Sequence, residues 1–154
     1  MQQTCLLVKP DGVGLRRVGA VIDRLERANL RLVAIKMMRL GAEQAESFYK
    51  EHRGKAFYDG LIRFMTAGPI VATVWEGENA VAAVRSLMGA TDPKVAAAGT
   101  LRREFGTDNR YNLVHGSDSV ESAAREIAFF FKPDEQYRYQ DHDWRAGEPT
   151  SKRL

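Results

Sequence analysis

Cysteine occurs once in this chain of 154 residues, at Cys5. A single thiol excludes an internal disulfide and any metal site built on several cysteines of one chain, so a buried, chemically quiet role is expected for it. Long apolar runs are also missing. Nothing approaches the roughly 20 apolar residues that a membrane-spanning helix requires, and Met1-Gln2-Gln3 leads directly into a short strand-like run instead of a signal sequence. A cytoplasmic location with no membrane partner is the expectation. Nor is there a large excess of one charge. Lys and Arg number 23 against 20 Asp and Glu, a net charge of +3 with a pI near 9.1. The basic residues are spread along the chain, which favours a local anion site over an extended nucleic-acid face, so nucleic acid is not a required partner. Both usual glycine-rich phosphate cradles are absent. No Gly-x-x-x-x-Gly-Lys-Ser/Thr loop occurs, and Gly12-Val13-Gly14 with Gly19 has the wrong spacing for a dinucleotide-binding turn.

What remains is an ordinary globular composition: 44% hydrophobic and 28% charged residues, with a mean hydropathy of -0.37. That is enough to bury one core but too little to divide between two, so residues 1–154 are expected to form one domain with a polar tail over 132–154. Residues 4–8 read as a strand closed by the Lys9-Pro10-Asp11-Gly12 loop. Val18, Val21, Ile22, Leu25 and Ala28 fall at helical spacing. Residues 30–38 alternate as a second strand. Helices are expected over 42–52 and 56–66, a β-branched strand over 70–75, a helix over 79–88, and an irregular loop over 89–99. A brief strand over 111–115 precedes a helix over 119–131, which Asp118 and Glu121 begin in the manner of a capping box. The order implies an α/β (α+β), ferredoxin-like βαββαβ sandwich: a four-stranded antiparallel sheet with additional helices. The last residues, from Gly147 through Lys152, are expected to be mobile.

The chemistry gathers around His115, in Asn112-Leu113-Val114-His115-Gly116-Ser117-Asp118-Ser119. It stands at the exit of a strand, beside a glycine, just ahead of a helix N-terminus whose dipole and free N–H groups suit an anion. Neutral imidazole is a competent nucleophile near neutral pH if a hydrogen bond to one nitrogen fixes which nitrogen attacks. Glu126 reaches back to the ring only if the chain turns tightly at Gly116. His52 and His142 lack comparable framing and read as structural or exposed.

Asn-x-x-His-Gly-Ser-Asp at residues 112–118 is similar to the signature of nucleoside diphosphate kinases. Further blocks resemble that family in the right order: Lys9-Pro10-Asp11-Gly12, Phe48-Tyr49, Gly68-Pro69, Trp75-Glu76-Gly77, Gly89-Ala90-Thr91-Asp92-Pro93 and Gly99-Thr100-Leu101-Arg102. The resemblance implies transfer of the γ-phosphate of a nucleoside triphosphate to a nucleoside diphosphate, by a ping-pong route through a phosphorylated His115. It implies that Glu126 holds the imidazole and Ser117 bonds that carboxylate, and that Lys9 and Tyr49 meet the transferred phosphate. It also implies that Arg85, Arg102 and Thr91 bind phosphate oxygens, that Asn112 bonds the ribose, and that Phe57 stacks on the base. Stacking is indifferent to base identity, so broad base specificity is expected. Mg²⁺ is implied, bound mainly through the nucleotide's phosphates with no dedicated protein cage; Asp118 either meets it through water or simply caps its helix.

Taken singly, several of these residues have plainer readings. Phe57 and Tyr49 at helical positions fit a core, Arg85 fits a solvated helix face, and Lys9 before a proline can merely end a strand. The family resemblance further implies a homo-oligomer, tetramer or hexamer. Ala96-Ala97-Ala98 and the tail after Lys132 depart from the common family pattern in regions that serve subunit contacts. Two other functions would use the same residues: a nucleotide-sensing or nucleic-acid-binding module on the same fold, and a phosphohistidine relay to a protein acceptor. Retention of His115, Lys9 and Glu126 disfavours the first, and Phe57, Asn112 and Thr91 would lack a purpose in the second.

Overall fold

The computed structural model describes residues 1–147; the expected mobile stretch lies outside them from residue 148 onward. Four strands form one sheet: β1 (Gln2–Val8), β2 (Arg31–Met38), β3 (Ile70–Gly77) and β4 (Val114–Gly116). Their order is β2-β3-β1-β4. Each neighbouring pair is antiparallel, so β1 and β2 run the same way with β3 between them. This is the ferredoxin-like arrangement expected from the element order.

Both faces of the sheet are covered, because its central strands are apolar on both sides. Cys5, Leu7, Ala72 and Val74 join a cluster with Ala45, Met65, Ile127 and Phe130, from α3 (Ala42–Phe48), α4 (Tyr58–Thr66) and α7 (Val120–Phe130). Leu6, Val8, Val71 and Trp75 alternate to the opposite face. They meet Val21 and Leu25 of α2 (Val18–Arg27), Val84 and Met88 of α5 (Ala80–Met88) and Leu101 of α6 (Leu101–Phe105). Trp75 donates from Nε1 to Thr73 Oγ1 at 2.8 Å, and Thr73 donates to the Leu6 carbonyl at 2.7 Å, so these two polar side chains are paired inside this core. Cys5 is buried, as expected of a quiet thiol.

Several boundaries differ from the sequence reading. Pro10–Gly14 forms a short helix, α1, where a loop was expected; Pro at the first helical position is preorganised for a helix as well as for a turn. α6 was absent from the reading because five residues give too little periodicity. Thr100 caps it by accepting from the Arg103 N–H. The helix expected over 42–52 ends at Phe48 and continues as a 3-10 turn, Lys50–His52. The capping box of α7 lies one residue later than expected, between Ser119 and Ser122. Asp118 instead accepts from the Ser122 hydroxyl at 2.7 Å. The second strand contains a bulge between Leu32 and Ala34, which interrupts simple alternation and buries Val33 and Ala34 together.

The polar tail is anchored along β2. Tyr137 N–H donates to the Val33 carbonyl at 3.0 Å, Tyr139 Oη to the Leu32 carbonyl at 2.5 Å, and Glu135 and Asp141 pair with Lys36 and Arg31. Among the described residues no helix is long and apolar enough to cross a membrane.

Candidate active site

His115 is the middle residue of β4, the edge strand opposite Leu7 of β1. What positions it is an unusual backbone. Leu113, two residues earlier, has φ of 79°, a left-handed value that costs a side-chain-bearing residue on the order of 1–3 kcal/mol. Val114 N–H reaches back to the Asn112 carbonyl at 2.9 Å, closing a γ-turn over Leu113. Asp11 accepts the Leu113 N–H at 2.9 Å, and the Leu113 carbonyl accepts the Lys9 N–H at 2.9 Å. The helix that was missed at Pro10–Gly14 therefore fixes the turn that aims His115. Gly116 on the other side packs closely on α5: a Cβ there would lie 2.3 Å from Met88 Sδ, so the methionine would have to shift.

The imidazole is held at its far nitrogen. His115 Nε2 lies 2.9 Å from Glu126 Oε1, and Ser117 Oγ donates to the same oxygen at 2.9 Å. A carboxylate accepts, so Nε2 carries the hydrogen and Nδ1 keeps its lone pair. The tight turn expected at Gly116 is not there: Gly116 is the last residue of β4, and the chain bends at Asp118 and Ser119 instead, which brings Glu126 of α7 back to the ring. Phe48 and Tyr49 meet the ring edge-on, at centroid separations of 5.2 and 6.2 Å. Burial, reinforced by the Glu126 carboxylate and Cys5, keeps the Tyr49 phenol protonated far above its ordinary range and so a donor.

His115, Tyr49 and Glu126 line a cavity of about 850 Å³, large enough for a nucleotide-sized ligand. Lys9 enters it from the end of β1. Its ammonium donates to Asn112 Oδ1 at 2.7 Å and to the Arg110 carbonyl at 2.8 Å. Burial above all, with Arg102 and Arg110 adding repulsion, brings its pKa down to about 8 despite the opposing pull of Asp11 and Asp108. Arg102 is likewise buried and has its pKa lowered to about 10, by burial first and then by Arg85. Its guanidinium donates to the carbonyls of Asn112, Gly89 and Val114. Three of five donors are used, which leaves two for an anion.

Arg85 bonds the Gly116 carbonyl at 3.2 Å. With Thr91 it stands at the exposed part of the wall. Phe57, 46% exposed, is no core residue. It lines the cleft beside His52, 5.4 Å away, with Lys55 Nζ over its ring at 5.7 Å. All ten sequence-selected residues are thus close together, nine of them lining the cavity, with Ser117 behind Glu126. Asn112 differs in emphasis from its expected ribose contact: its amide already donates to the Thr91 and Asn109 carbonyls while its oxygen accepts from Lys9. It organises the cationic wall.

The sequence reading missed His52, Lys55 and Arg110, which also line the cavity. His52 stacks on Tyr49 at 6.2 Å, and Lys55 Nζ approaches its Nδ1 at 3.3 Å. The Arg110 guanidinium lies where a Cβ on Gly60 would be. Their sole signal was proximity in sequence to Tyr49, Phe57 and Asn112. His142 lies in the exposed tail, as expected.

A family model described as nucleoside diphosphate kinase matches residues 2–136. The chain belongs to the nucleoside diphosphate kinase family. A nucleoside diphosphate kinase of Carboxydothermus hydrogenoformans is 50% identical over 140 residues, covering 91% of this chain and 94% of the relative. One of Archaeoglobus fulgidus is 51% identical over 146 residues, covering 94% and 97%. Among solved structures, a halophilic nucleoside diphosphate kinase of Halobacterium salinarum in complex with CDP superposes with a TM-score of 0.88 at 46% identity, covering 95% of this chain and 97% of that one. The Aquifex aeolicus enzyme gives 0.85 at 41%, covering 88% and 99%. Membership makes this a phosphotransferase of the nucleoside diphosphate kinase family.

Proposed function

We propose that the chain moves the γ-phosphate of a nucleoside triphosphate onto a nucleoside diphosphate in two half-reactions through a phosphohistidine at His115. The observation that carries the reading is the Glu126 contact with His115 Nε2, seconded by Ser117, which frees Nδ1 at the wall of a cationic cleft. In the first half-reaction Nδ1 attacks the γ-phosphorus. The N–P bond forms, the bond from that phosphorus to the β–γ bridging oxygen breaks, and the diphosphate leaves with its electron pair. The second nucleoside diphosphate reverses these changes. Glu126 offsets the positive charge that the ring acquires, while Lys9, Arg85, Arg102, Thr91 and Tyr49 counter charge on the phosphoryl oxygens.

Phe57 offers its exposed ring to the cleft, which supports base stacking and broad specificity. CDP in the halophilic relative is a pyrimidine nucleotide, consistent with that breadth. Asn112 acts on the ribose through its remaining acceptor capacity or through Lys9. Mg²⁺ fits the cleft: the Asp118 carboxyl, held below its usual range chiefly by the Ser122 hydroxyl, is ionised at the wall. Asp118 would hold the ion, which keeps most of its water beside a single carboxylate, and the ion would supply charge neutralisation at the phosphates. The catalytic unit is one domain over 1–154, cytoplasmic, assembled as a homo-oligomer.

Incubation with γ-labelled ATP and Mg²⁺, then with a different nucleoside diphosphate, tests this. An acid-labile phosphoprotein forms in wild type, is discharged by the diphosphate, and is absent from His115→Ala. No labelled triphosphate from folded wild type would leave a nucleotide-binding module as the better account.

A further inference from the structure

Glu126 borders two cavities. Besides the cleft there is a smaller one of about 100 Å³, bounded by Ser47, Phe48, Lys50, Arg125 and Phe129. The two oxygens of the carboxylate have different surroundings. Both short hydrogen bonds, from His115 and Ser117, end on Oε1. The charged group nearest Oε2 is Arg125, whose Nη2 lies 3.9 Å away; the same nitrogen is 3.8 Å from Glu51 Oε1. Such separations are too long for a direct hydrogen bond and leave a through-space attraction between the charges. Arg125 does not line the nucleotide cleft.

We propose that Arg125 is a positioning residue: from the smaller cavity it keeps the Glu126 carboxylate ionised and turned toward His115, so that a group with no contact to nucleotide controls the nucleophile. The proposal rests on the phosphohistidine reading above. Its logic is one of charge. Phosphoryl acceptance needs a neutral His115 ring and an ionised Glu126. A nearby guanidinium opposes protonation of both. The other ionisable groups around Glu126 are Cys5 on β1, Tyr49 at the end of α3, Lys50 and Glu51 in the 3-10 turn, and His115 on β4. Cys5 and Tyr49 are neutral, and Glu51 opposes Arg125. For unit charges about 4 Å apart at a half-exposed position, the effect is roughly three- to fivefold in rate on the acid side of the profile.

The test measures single-turnover phosphorylation by ATP, and discharge by a diphosphate, from pH 5.5 to 9 in wild type, Arg125→Gln, Arg125→Lys, Arg125→Glu and Glu51→Gln. Melting temperatures and diphosphate affinity are recorded alongside. Removing the cation raises the acid limb of both half-reactions, slowing them roughly three- to fivefold on that side in Arg125→Gln and further in Arg125→Glu. Arg125→Lys restores it. Glu51→Gln, which removes the competing anion, lowers it, and diphosphate affinity stays within about twofold in the Arg125 variants. Superimposable pH profiles in wild type and Arg125→Gln would overturn the proposal, as would a loss confined to nucleotide affinity. Absence of a phosphoprotein in wild type would overturn the parent reading instead, so the two failures are distinguishable.

Discussion

The two edges of the sheet use the same kinds of side chain to opposite ends. Along β2, charges pair in the open: Lys36 with Glu135 is 30% and 36% exposed, and Asp141 opposite Arg31 is 86% exposed. Along β4, Lys9, Arg102, Asn112, Ser117 and Glu126 are all buried, and each has hydrogen-bond partners. An exposed pair exchanges water for a counter-ion at little net gain. A buried polar group is costly to leave unmatched and therefore holds its neighbours to one geometry. The edge that carries the proposed site is thus the edge where polar groups are expensive to disturb.

Substitutions at the β4 edge should separate sharply from those at β2. The largest effect is expected at Glu126→Gln, which keeps an acceptor near Ser117 but removes the charge that balances the ring. Stopped-flow phosphorylation should slow about 10²–10⁴-fold, with nucleotide affinity nearly unchanged. Lys9→Met comes next, with phosphoryl transfer reduced about 10²–10³-fold in steady-state assays.

Lys9 also gives the comparison a pH signature. Its folded pKa of about 8 lies below the ordinary 10.5, so between those values the unfolded chain binds the extra proton and stability rises with pH. Above about pH 10 ionisation of unfolded tyrosine works the other way, because the Tyr49 phenol is held neutral in the fold. Urea unfolding from pH 7 to 10 should therefore show wild type gaining on the order of 2 kcal/mol relative to Lys9→Met.

Asp11→Ala should have a smaller effect of about 1–3 kcal/mol, since it strands the buried Leu113 N–H and loosens the γ-turn. Activity should fall with it, because the turn sets the direction of β4. The smallest effect belongs to β2. Asp141→Asn should leave the melting temperature within about one degree and activity unaltered. If Asp141→Asn proves as damaging as Asp11→Ala, the contrast between the edges fails.

Most of this architecture could be read from periodicity, because α2, β3 and α7 each carry enough apolar residues to declare their faces. α1 and α6 could not, being five residues long and defined by a proline and a threonine cap that serve turns equally well. His115 with its Gly-Ser neighbours was legible because local sequence fixes its strand-to-helix setting. Glu126 was only conditionally so, since its approach depends on how the chain reverses between β4 and α7, which spacing cannot report. Arg102 and Asn112 do line the cleft, yet their bonds to five separate backbone carbonyls were invisible without the fold. His52 and Arg110 reach the cavity because α4 and the loop ahead of Asn112 converge, a consequence of packing that no local motif encodes.

The central claim is that Glu126 occupies Nε2 of His115 and so assigns the chemistry to Nδ1. Nitrogen-15 labelling of histidine, phosphorylation with ATP and Mg²⁺, and measurement of phosphorus–nitrogen coupling by NMR test it directly. The account predicts one phosphohistidine, at His115, with phosphorus coupled to Nδ1. Phosphorus on Nε2, or on His52, would contradict it.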